Sequence, residues 1–171
     1  MAGNVKTISV TREGRRWYVI LTAGQTAPES LPRTGSVVGI GMGTANFLAG
    51  SGGEFVPNLR HGAKAAAGLE EAQRALARCE RGSKRRRKAV ETVARLHRKV
   101  RRQRLGHAHE TVLNLVGEYD FIAHEDLQIR IMSKAPSPEP GPATPGSFLP
   151  SGAAAKAGLN RSIADAGWGC S

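Results

Sequence analysis

The amino-terminal segment alternates polar and apolar side chains, which is the pattern of a β-strand with two unlike faces. It covers residues 5–21, VKTISVTREGRRWYVIL, and the alternation runs on both sides of Glu13-Gly14. Because a glycine at such a break allows a tight turn, the pattern predicts an antiparallel β-hairpin. Prolines and glycines recur through residues 22–36, which predicts a linker after the hairpin.

Short apolar runs of strand length follow this linker. Residues 37–43 read as a buried strand, and residues 46–50 and 54–56 follow as two further strands across glycine-rich turns. Together they predict a three-strand meander. Residues 119–124 predict one more core strand, which ends next to the carboxylate of Glu125.

From residue 64 the apolar period changes from two to that of a helix. Two apolar faces follow in succession, formed first by Leu69, Ala72, Leu76 and Cys79, and then by Ala89, Val93, Leu96 and Val100. Between them Gly82 breaks the first helix and Ser83 can cap the second, so residues 64–104 predict an antiparallel helical hairpin. Residues 107–116 predict a further short helix, with Gly117 at its carboxy-terminal cap.

The carboxy-terminal part is rich in residues that oppose regular structure. Residues 134–152 hold six of the nine prolines, together with several glycines and serines. Such a composition buries too little apolar surface to offset the entropy of ordering, so it predicts a disordered linker over residues 134–158. Residues 159–171 then predict a short helical segment that begins at Asn160.

Positive charge is concentrated in one segment. Lys and Arg number 25 against 14 Asp and Glu, a net charge of +11. Eleven cations and the single acid Glu91 lie between Lys84 and Arg104, and such a density favours phosphate contacts over a merely solvated helix face. The predicted nucleic-acid-binding residues are Lys84, Arg85, Arg86, Arg87, Lys88, Arg95, Arg98, Lys99, Arg101, Arg102 and Arg104.

Several function classes are disfavoured by what the sequence lacks. Two cysteines, Cys79 and Cys170, are too few for a disulfide framework or a zinc knuckle, and His97, His107 and His109 have no ligand spacing, so no zinc is expected. No apolar run has membrane-spanning length and no leader pattern opens the chain, which predicts a cytoplasmic protein without a membrane partner.

Four motifs carry a resemblance to a known family. They are VVGIGMGTANFLAGSGGEFVPN, GSKRRRKAVETVARLHRKVRRQR, EYDFIAHEDLQI and SIADAGWG, which together cover residues 36–169. This set resembles the TnpB/OrfB family of transposon-encoded, RNA-guided nucleases with a RuvC fold. The resemblance implies an α/β chain with a partial RNase H-like (RuvC) fold over residues 36–133 and an inserted basic helical hairpin. Residues 1–35 would be a β-hairpin and linker from the end of a wedge-like β-domain. The resemblance implies in addition a prokaryotic, nucleic-acid-associated location.

The same resemblance implies a damaged catalytic centre. The family's second carboxylate falls on Glu125, whereas its first falls on Gly41, which cannot bind a metal. The third acidic strand is expected beyond Ser171, so Glu125 alone would remain as catalytic and metal residue, and Mg²⁺, the implied cofactor, would not bind productively. Rescue by Asp126 is disfavoured because neighbouring strand residues point to opposite faces.

Two function classes remain open at this point. The first is a transposon-associated relative of the family's nucleases that binds nucleic acid, a guide-like RNA and/or DNA, without cleaving it. The second is a repurposed DNA- or RNA-binding regulator, or a decayed transposase remnant without chemistry. Homo-oligomerisation stays open. The glycines at 39, 41 and 43 do not predict a nucleotide loop, because no helix follows them to face a phosphate.

Overall fold

The chain forms two units of mixed strand and helix in a computed structural model that describes residues 4–24, 30–137 and 152–168. The first unit comprises Met1–Thr34 and Ala67–Arg98, and the second comprises Gly35–Ala66 and Lys99–Ser171. The mixed α/β class predicted from the sequence is therefore confirmed. The predicted segment boundaries after residues 35 and 133 remain predictions.

The predicted amino-terminal hairpin is confirmed. Strands β1 (Val5–Glu13) and β2 (Arg16–Ala23) pair in antiparallel register. The turn lies one residue later than expected, at Gly14-Arg15, because Glu13 pairs with Arg16. Gly14 has φ 65°, a left-handed value that a residue with a Cβ adopts only at a cost, so this two-residue turn needs its glycine.

The hairpin presents one face of apolar side chains. The register places Ile8 opposite Leu21, Val10 opposite Val19, and Arg12 opposite Trp17, so these residues share one side of the two-stranded sheet. The apolar members are 57–66 % exposed. We call Ile8, Val10, Trp17, Val19 and Leu21 the apolar hairpin face.

Helices α1 (His61–Ala77) and α2 (Lys84–Glu118) follow the order that the sequence predicts. In the first unit Leu69, Ala72 and Leu76 are half-buried and Cys79 is buried, so the predicted apolar face of α1 is the less exposed one. Gly82 has φ 84° in the turn between the helices. The packing of the two helices as an antiparallel hairpin stays a prediction.

The predicted cap of α2 is confirmed. Ser83 Oγ accepts a hydrogen bond from the backbone N–H of Arg86 at 3.1 Å, which satisfies one of the amide groups left without a partner at a helix start. The same hydroxyl donates to the backbone carbonyl of Glu80 at 2.8 Å. Ser83 therefore fixes both the end of the turn and the first turn of α2.

We expect Ser83→Ala to lower the free energy of unfolding by about 1 kcal/mol, because the Arg86 amide loses its acceptor. Ser83→Asp is the matched control, since its carboxylate can accept the same bond and favours the positive end of the helix dipole. Urea denaturation of both variants followed by circular dichroism measures the difference. Equal stability of Ser83→Ala and the native chain would show that the cap contributes nothing.

Helix α2 is longer than predicted. It runs without a break from Lys84 to Glu118, so the separate helix expected over residues 107–116 and the cap expected at Gly117 are both wrong. A single glycine costs only about 1 kcal/mol in a helix. Next to Gly106, the ring of His107 lies 4.9 Å from that of Phe47, and Thr111 Oγ1 donates to the His107 carbonyl at 2.9 Å.

The second unit contains a four-stranded mixed sheet. Its strands are β3 (Val37–Met42), β4 (Asn46–Gly50), β5 (Phe55–Pro57) and β6 (Phe121–His124), in the order β5-β4-β3-β6. The predicted meander is confirmed, because β3, β4 and β5 pair antiparallel. The predicted strand β6 lies parallel to β3, but the prediction that it is a core strand is wrong, because Phe121 is 61 % exposed and Ile122 is only half-buried.

Two helices complete the described part of this unit. Helix α3 spans Ile129–Met132, and α4 spans Ala153–Ala166. The predicted carboxy-terminal helix therefore starts at Ala153 and not at Asn160, and residues 153–158 are helical although they were assigned to the linker. Their sequence, AAAKAG, is rich in alanine, the strongest helix former, which explains the earlier start. Residues 138–151 of the predicted disordered tract lie outside the described residues.

The core of the second unit is small. Its buried side chains within the described ranges are those of Val38, Leu48, Val100, Thr111, Ile163 and Ala166. They come from the sheet, from α2 and from α4, so the core is assembled from segments that are far apart in sequence.

Candidate functional site

In the first unit, four of the five exposed Lys and Arg side chains of α2 lie on one side of the helix, and Arg85 lies outside that side. Lys84, Arg87, Lys88 and Arg95 are exposed, and their spacing of three, four and seven residues places them within about one third of the helix circumference. The half-buried side chains Ala89, Val93 and Leu96 fall on the opposite side. We call Lys84, Arg87, Lys88 and Arg95 the basic face.

Arg86 has a structural contact. Its guanidinium donates to the backbone carbonyls of Leu76 and Cys79, each at 3.4 Å. These carbonyls lie at the end of α1 and in the turn that follows, where acceptors have no partner within the helix. Arg86 was predicted to contact nucleic acid, but it is half-buried and holds the turn, whereas its neighbour Arg85 is exposed.

Arg98 and Glu91 link α2 to the turn of the amino-terminal hairpin. The Arg98 guanidinium lies so close to Gly14 that a Cβ at that position would be 2.9 Å from it. Glu91, the single acid of the basic segment, forms an ion pair with Arg15 at 3.4 Å. The hairpin turn therefore places the positive charge of Arg15 beside Glu91, the one acidic residue of the basic segment.

The sequence reasoning missed this contribution of the hairpin. Arg12, Arg15 and Arg16 are all exposed around the turn. The available signal was the string REGRR at the predicted turn, which was interpreted only as turn chemistry. Its cations belong to the same unit as the basic face.

In the second unit, Lys99, Arg101 and Arg102 are exposed, whereas Arg104 is engaged in a buried ion pair. The Arg104 guanidinium donates to Asp165 Oδ1 at 2.8 Å, and the two side chains are only 20 % and 13 % exposed. Of the eleven predicted binding residues, Arg86 and Arg104 therefore have partners that position helices.

Asp165 is a structural residue that the sequence reasoning did not identify. Its carboxylate accepts hydrogen bonds from the backbone N–H groups of Gly62 at 2.6 Å and Ala63 at 3.0 Å, in the first turn of α1. Burial acts to raise the pKa of Asp165, but the Arg104 hydrogen bond and the two amide hydrogen bonds outweigh it, so the pKa lies below its usual value. The motif SIADAGWG contains this residue without indicating its role.

His61, the first residue of α1, lies in the same environment. Burial lowers the pKa of His61, and the positive charges of His107, Lys64 and Arg104 lower it further, while Asp165 acts in the opposite direction. The neutral form is therefore favoured beside the Arg104–Asp165 pair.

The structure brings Gly41 and Glu125 together. Ile40 pairs with His124 in the parallel register of β3 and β6, so the next residues along both strands are neighbours. A Cβ on Gly41 would lie 3.3 Å from Glu125 Oε1. Gly41, where the resemblance expects the first carboxylate, and Glu125, where it expects the second, thus face each other at the ends of two parallel strands.

Other acidic and histidine side chains near this sheet have different partners. Gln128 Nε2 donates to Asp126 Oδ2 at 3.1 Å, and Asp120 Oδ2 accepts from the backbone N–H of Gly35 at 2.9 Å. His107 Nε2 lies 3.2 Å from the Pro57 carbonyl oxygen. Among the residues with a described placement, no three His, Cys, Asp or Glu side chains converge as a metal-binding group.

We expect Gly41→Asp to create a divalent-cation site shared by position 41 and Glu125. Two carboxylates held this close repel each other, and Mg²⁺ or Mn²⁺ relieves that repulsion, so the cation should stabilise the variant. A site with a Kd near 1 mM would add about 1.4 kcal/mol at 10 mM cation, a rise in Tm of roughly 3–6 °C. Differential scanning fluorimetry across a Mn²⁺ series measures it.

Gly41→Asn is the control for this prediction, because it adds the side chain without the charge. Combining Gly41→Asp with Glu125→Gln should also remove the Mn²⁺ effect. A cation-dependent rise of the same size in all three variants would mean that position 41 and Glu125 do not share a ligand site.

The described helices contain no stretch long and apolar enough to cross a membrane.

Comparisons with known proteins agree on one family. The family model described as a probable transposase, of the OrfB type, matches residues 15–135. A Streptomyces pristinaespiralis protein named "Putative RNA-guided DNA endonuclease" is 34 % identical over 129 residues, which cover 75 % of this chain and 32 % of that protein. The Escherichia coli (strain K12) protein named "Putative RNA-guided DNA endonuclease InsQ" is 27 % identical over 171 residues, covering 98 % of this chain and 40 % of that protein.

The chain thus spans roughly a third to two fifths of the length of these curated relatives. The family match covers more than half of the chain and includes β2, the sheet, α1 and α2. By this match the chain belongs to the OrfB-type family of probable transposases.

Proposed function

We propose that this chain is a transposon-associated nucleic-acid-binding protein that uses α2 to hold phosphates and does not cleave its ligand. The observation that carries the proposal is the basic face: Lys84, Arg87, Lys88 and Arg95 are exposed on the side of α2 opposite its half-buried apolar residues. Four cations with the same orientation repel one another in isolation, and a polyanion relieves that repulsion.

The geometry favours contacts to the sugar-phosphate backbone. From Lys84 to Arg95 the helix rises about 16 Å, which is enough for the cations to meet several phosphates in succession. Such contacts give affinity and steep salt dependence but little sequence preference, because sequence is read at base edges. The names of the two relatives refer to RNA-guided DNA cleavage, so the proposed ligand is a guide-like RNA, DNA or both.

The proposed absence of cleavage rests on Gly41. Two divalent cations, such as Mg²⁺, activate water and stabilise the leaving oxygen in this type of phosphodiester cleavage, and they need several convergent carboxylates. Glu125 lies beside Gly41, which has no side chain that could act as a metal ligand. These residues do not fit a two-cation centre, and we propose that neither Mg²⁺ nor zinc is bound productively.

The partial RNase H-like (RuvC) fold with an inserted basic helical hairpin is the finer architecture that we propose. Support comes from the antiparallel meander β3-β4-β5, from the parallel pairing of β3 with β6, and from the two helices that lie between β5 and β6 in sequence. The hairpin β1-β2 would belong to a wedge-like β-domain.

A second candidate is a residual metal-dependent nuclease. The contact between Glu125 and the Gly41 position favours it, because the ends of β3 and β6 still meet as a nuclease of this type requires. A regulator that retains only binding, or a decayed transposase remnant, is the alternative without chemistry.

The experiment is binding of purified protein to labelled structured RNA and to duplex DNA across a salt series, with Mg²⁺ added to parallel samples. We expect a steep fall of log affinity with log salt and no cleavage product. Mg²⁺-dependent product that disappears in Glu125→Gln would support the residual nuclease. Failure to bind either ligand at low salt would contradict the phosphate-binding role of α2.

A further inference from the structure

An exposed tryptophan lies beside arginines at the turn end of the amino-terminal hairpin. Trp17 is 66 % exposed, the largest exposure on the apolar hairpin face. The Arg12 Cζ atom lies 5.5 Å from the centroid of the Trp17 ring. Arg12 Nε also donates to the Gly14 carbonyl at 2.9 Å, which fixes the guanidinium beside the ring.

Further cations belong to the same end of this unit. Arg15 is paired with Glu91, and Arg98 lies against Gly14 at the turn. Arg16 is exposed and precedes Trp17. A largely exposed indole ring is therefore combined with guanidinium groups that can meet phosphates.

We infer that Trp17 is a stacking platform for an unpaired base of a single-stranded nucleic acid, with the neighbouring arginines holding its phosphates. Bases have flat aromatic faces that stack on aromatic side chains with little sequence preference, and arginine adds both charge and cation–π attraction. This inference rests on the proposed nucleic-acid binding. It adds that the ligand is an unpaired strand and that this strand binds at the hairpin turn.

Charge complementarity favours this ligand over a protein segment packed on the apolar hairpin face. A protein surface that covered Trp17 would also have to remove water from the Arg12 guanidinium, which is costly without a paired anion. A nucleic acid supplies that anion beside every base. Val19 lies on the same apolar hairpin face and is similarly exposed, but its side chain is aliphatic and offers no aromatic ring to a base, so it serves as the internal comparison.

The test uses tryptophan fluorescence. The chain has two tryptophans, so Trp168→Phe leaves Trp17 as the single emitter. Titrating this variant with oligo-U, oligo-dT, an abasic oligonucleotide and a duplex of equal length, while recording fluorescence and anisotropy together, separates stacking from phosphate binding. We expect quenching by oligo-U or oligo-dT and binding without quenching by the abasic strand. Stronger quenching by one of the two identifies RNA or DNA as the better ligand.

Affinity measurements with the native Trp168 give a second readout. We expect Trp17→Ala to weaken binding of an unpaired strand about 10-fold or more and to leave duplex binding unchanged, with Trp17→Phe restoring part of the loss. Val19→Ala is the matched control on the same face and should change neither. Equal quenching by abasic and base-containing strands, or equal losses for Trp17→Ala and Val19→Ala, would overturn the stacking role.

The failure of this inference is distinguishable from failure of the proposed function. Salt-dependent binding of duplex and unpaired strands that does not respond to Trp17 overturns the stacking platform and leaves phosphate binding by α2 intact. Absence of binding to every oligonucleotide overturns both.

Discussion

Changing Lys84, Arg87, Lys88 and Arg95 together to alanine should reduce affinity for duplex DNA by at least about 100-fold near 0.1 M salt. The physical reason is counter-ion release: each phosphate that a cation neutralises frees condensed ions, and four such contacts contribute about 3.6 to the slope of log affinity against log salt. The variant should therefore show a slope that is shallower by about that amount. Fluorescence anisotropy with labelled duplex at several salt concentrations gives both quantities.

The control must distinguish the effect of the charges on the basic face from the effect of the net charge of the whole chain. Lys6, Arg33, Lys64 and Arg130 are exposed cations outside α2, and changing all four to alanine lowers the net charge by the same amount. We expect this second variant to keep most of the affinity and most of the slope. Equal losses in the two variants would mean that binding follows net charge alone, and the basic face would then have no special role.

Single substitutions distinguish binding cations from structural ones. Arg85→Ala should weaken binding with little effect on stability, because Arg85 is exposed. Arg86→Ala should instead lower the free energy of unfolding, because the Cys79 carbonyl loses the Arg86 donor and the Leu76 carbonyl keeps only the backbone N–H of Cys79. Thermal unfolding measured beside anisotropy assigns each residue to one role. A purely binding defect in Arg86→Ala would show that its carbonyl contacts are dispensable.

The local patterns were sufficient to predict most strands and one cap. Alternation over residues 5–21 depends on neighbours two positions apart, and the Ser83 cap depends on a residue three positions later. Such short-range patterns can be read from the sequence because both partners are in the same window. The continuity of α2 through Gly106 could not be predicted in this way, since the next residue, His107, contacts Phe47 and Pro57, which lie 60 and 50 residues earlier.

The roles of the individual arginines could not be predicted from local sequence patterns for the same reason. Arg85 and Arg86 are adjacent and chemically identical, yet one is exposed and the other binds two carbonyls. Arg104 meets Asp165, which lies 61 residues away. Charge density predicted a basic surface in general, and only the fold separates its exposed cations from its buried ones.

The pairing of Gly41 with Glu125 was accessible by a different route. Nothing in the composition links these residues, and the resemblance to the family assigned both to one catalytic centre. The parallel register of β3 and β6 places them side by side, which the resemblance requires but did not itself demonstrate. The catalytic role of Glu125 remains a proposal, and the geometry makes it testable with a single substitution at position 41.

The Arg104–Asp165 pair is where we expect the largest loss of stability. Asp165→Ala removes the acceptor for Arg104 and for two amide groups of α1 at once. Because both side chains are mostly buried, the guanidinium is left without a counter-charge, and we expect a loss of about 2–4 kcal/mol in the free energy of unfolding. For a chain of this size that corresponds to a fall in Tm of roughly 6–12 °C.

Arg104→Met is the matched comparison for Asp165→Ala. It removes the charge but keeps an apolar side chain of similar length, and Asp165 keeps its two amide donors, so the loss should be smaller. The double variant, Asp165→Ala with Arg104→Met, should lose less free energy of unfolding than the sum of the two single losses. Once the Arg104 guanidinium is gone, removing Asp165 no longer leaves a buried positive charge without a partner. Additive losses in this cycle would mean that the two side chains do not stabilise each other.

The free energy of unfolding at acidic pH gives an independent test of the Arg104–Asp165 pair. The pKa of Asp165 is lowered in the folded chain, below its usual value of 3.8, so its ionised form stabilises the fold at higher pH. That contribution is present above the unfolded pKa and is lost as pH falls through the folded pKa. The difference in unfolding free energy between the native chain and Asp165→Asn should therefore be constant near neutral pH and shrink below about pH 3.9. Burial and neighbouring positive charges lower the pKa of His61 from its usual value of 6.5, so a difference that already shrinks as pH falls below 6.5 would assign the effect to His61 and contradict the role given to Asp165.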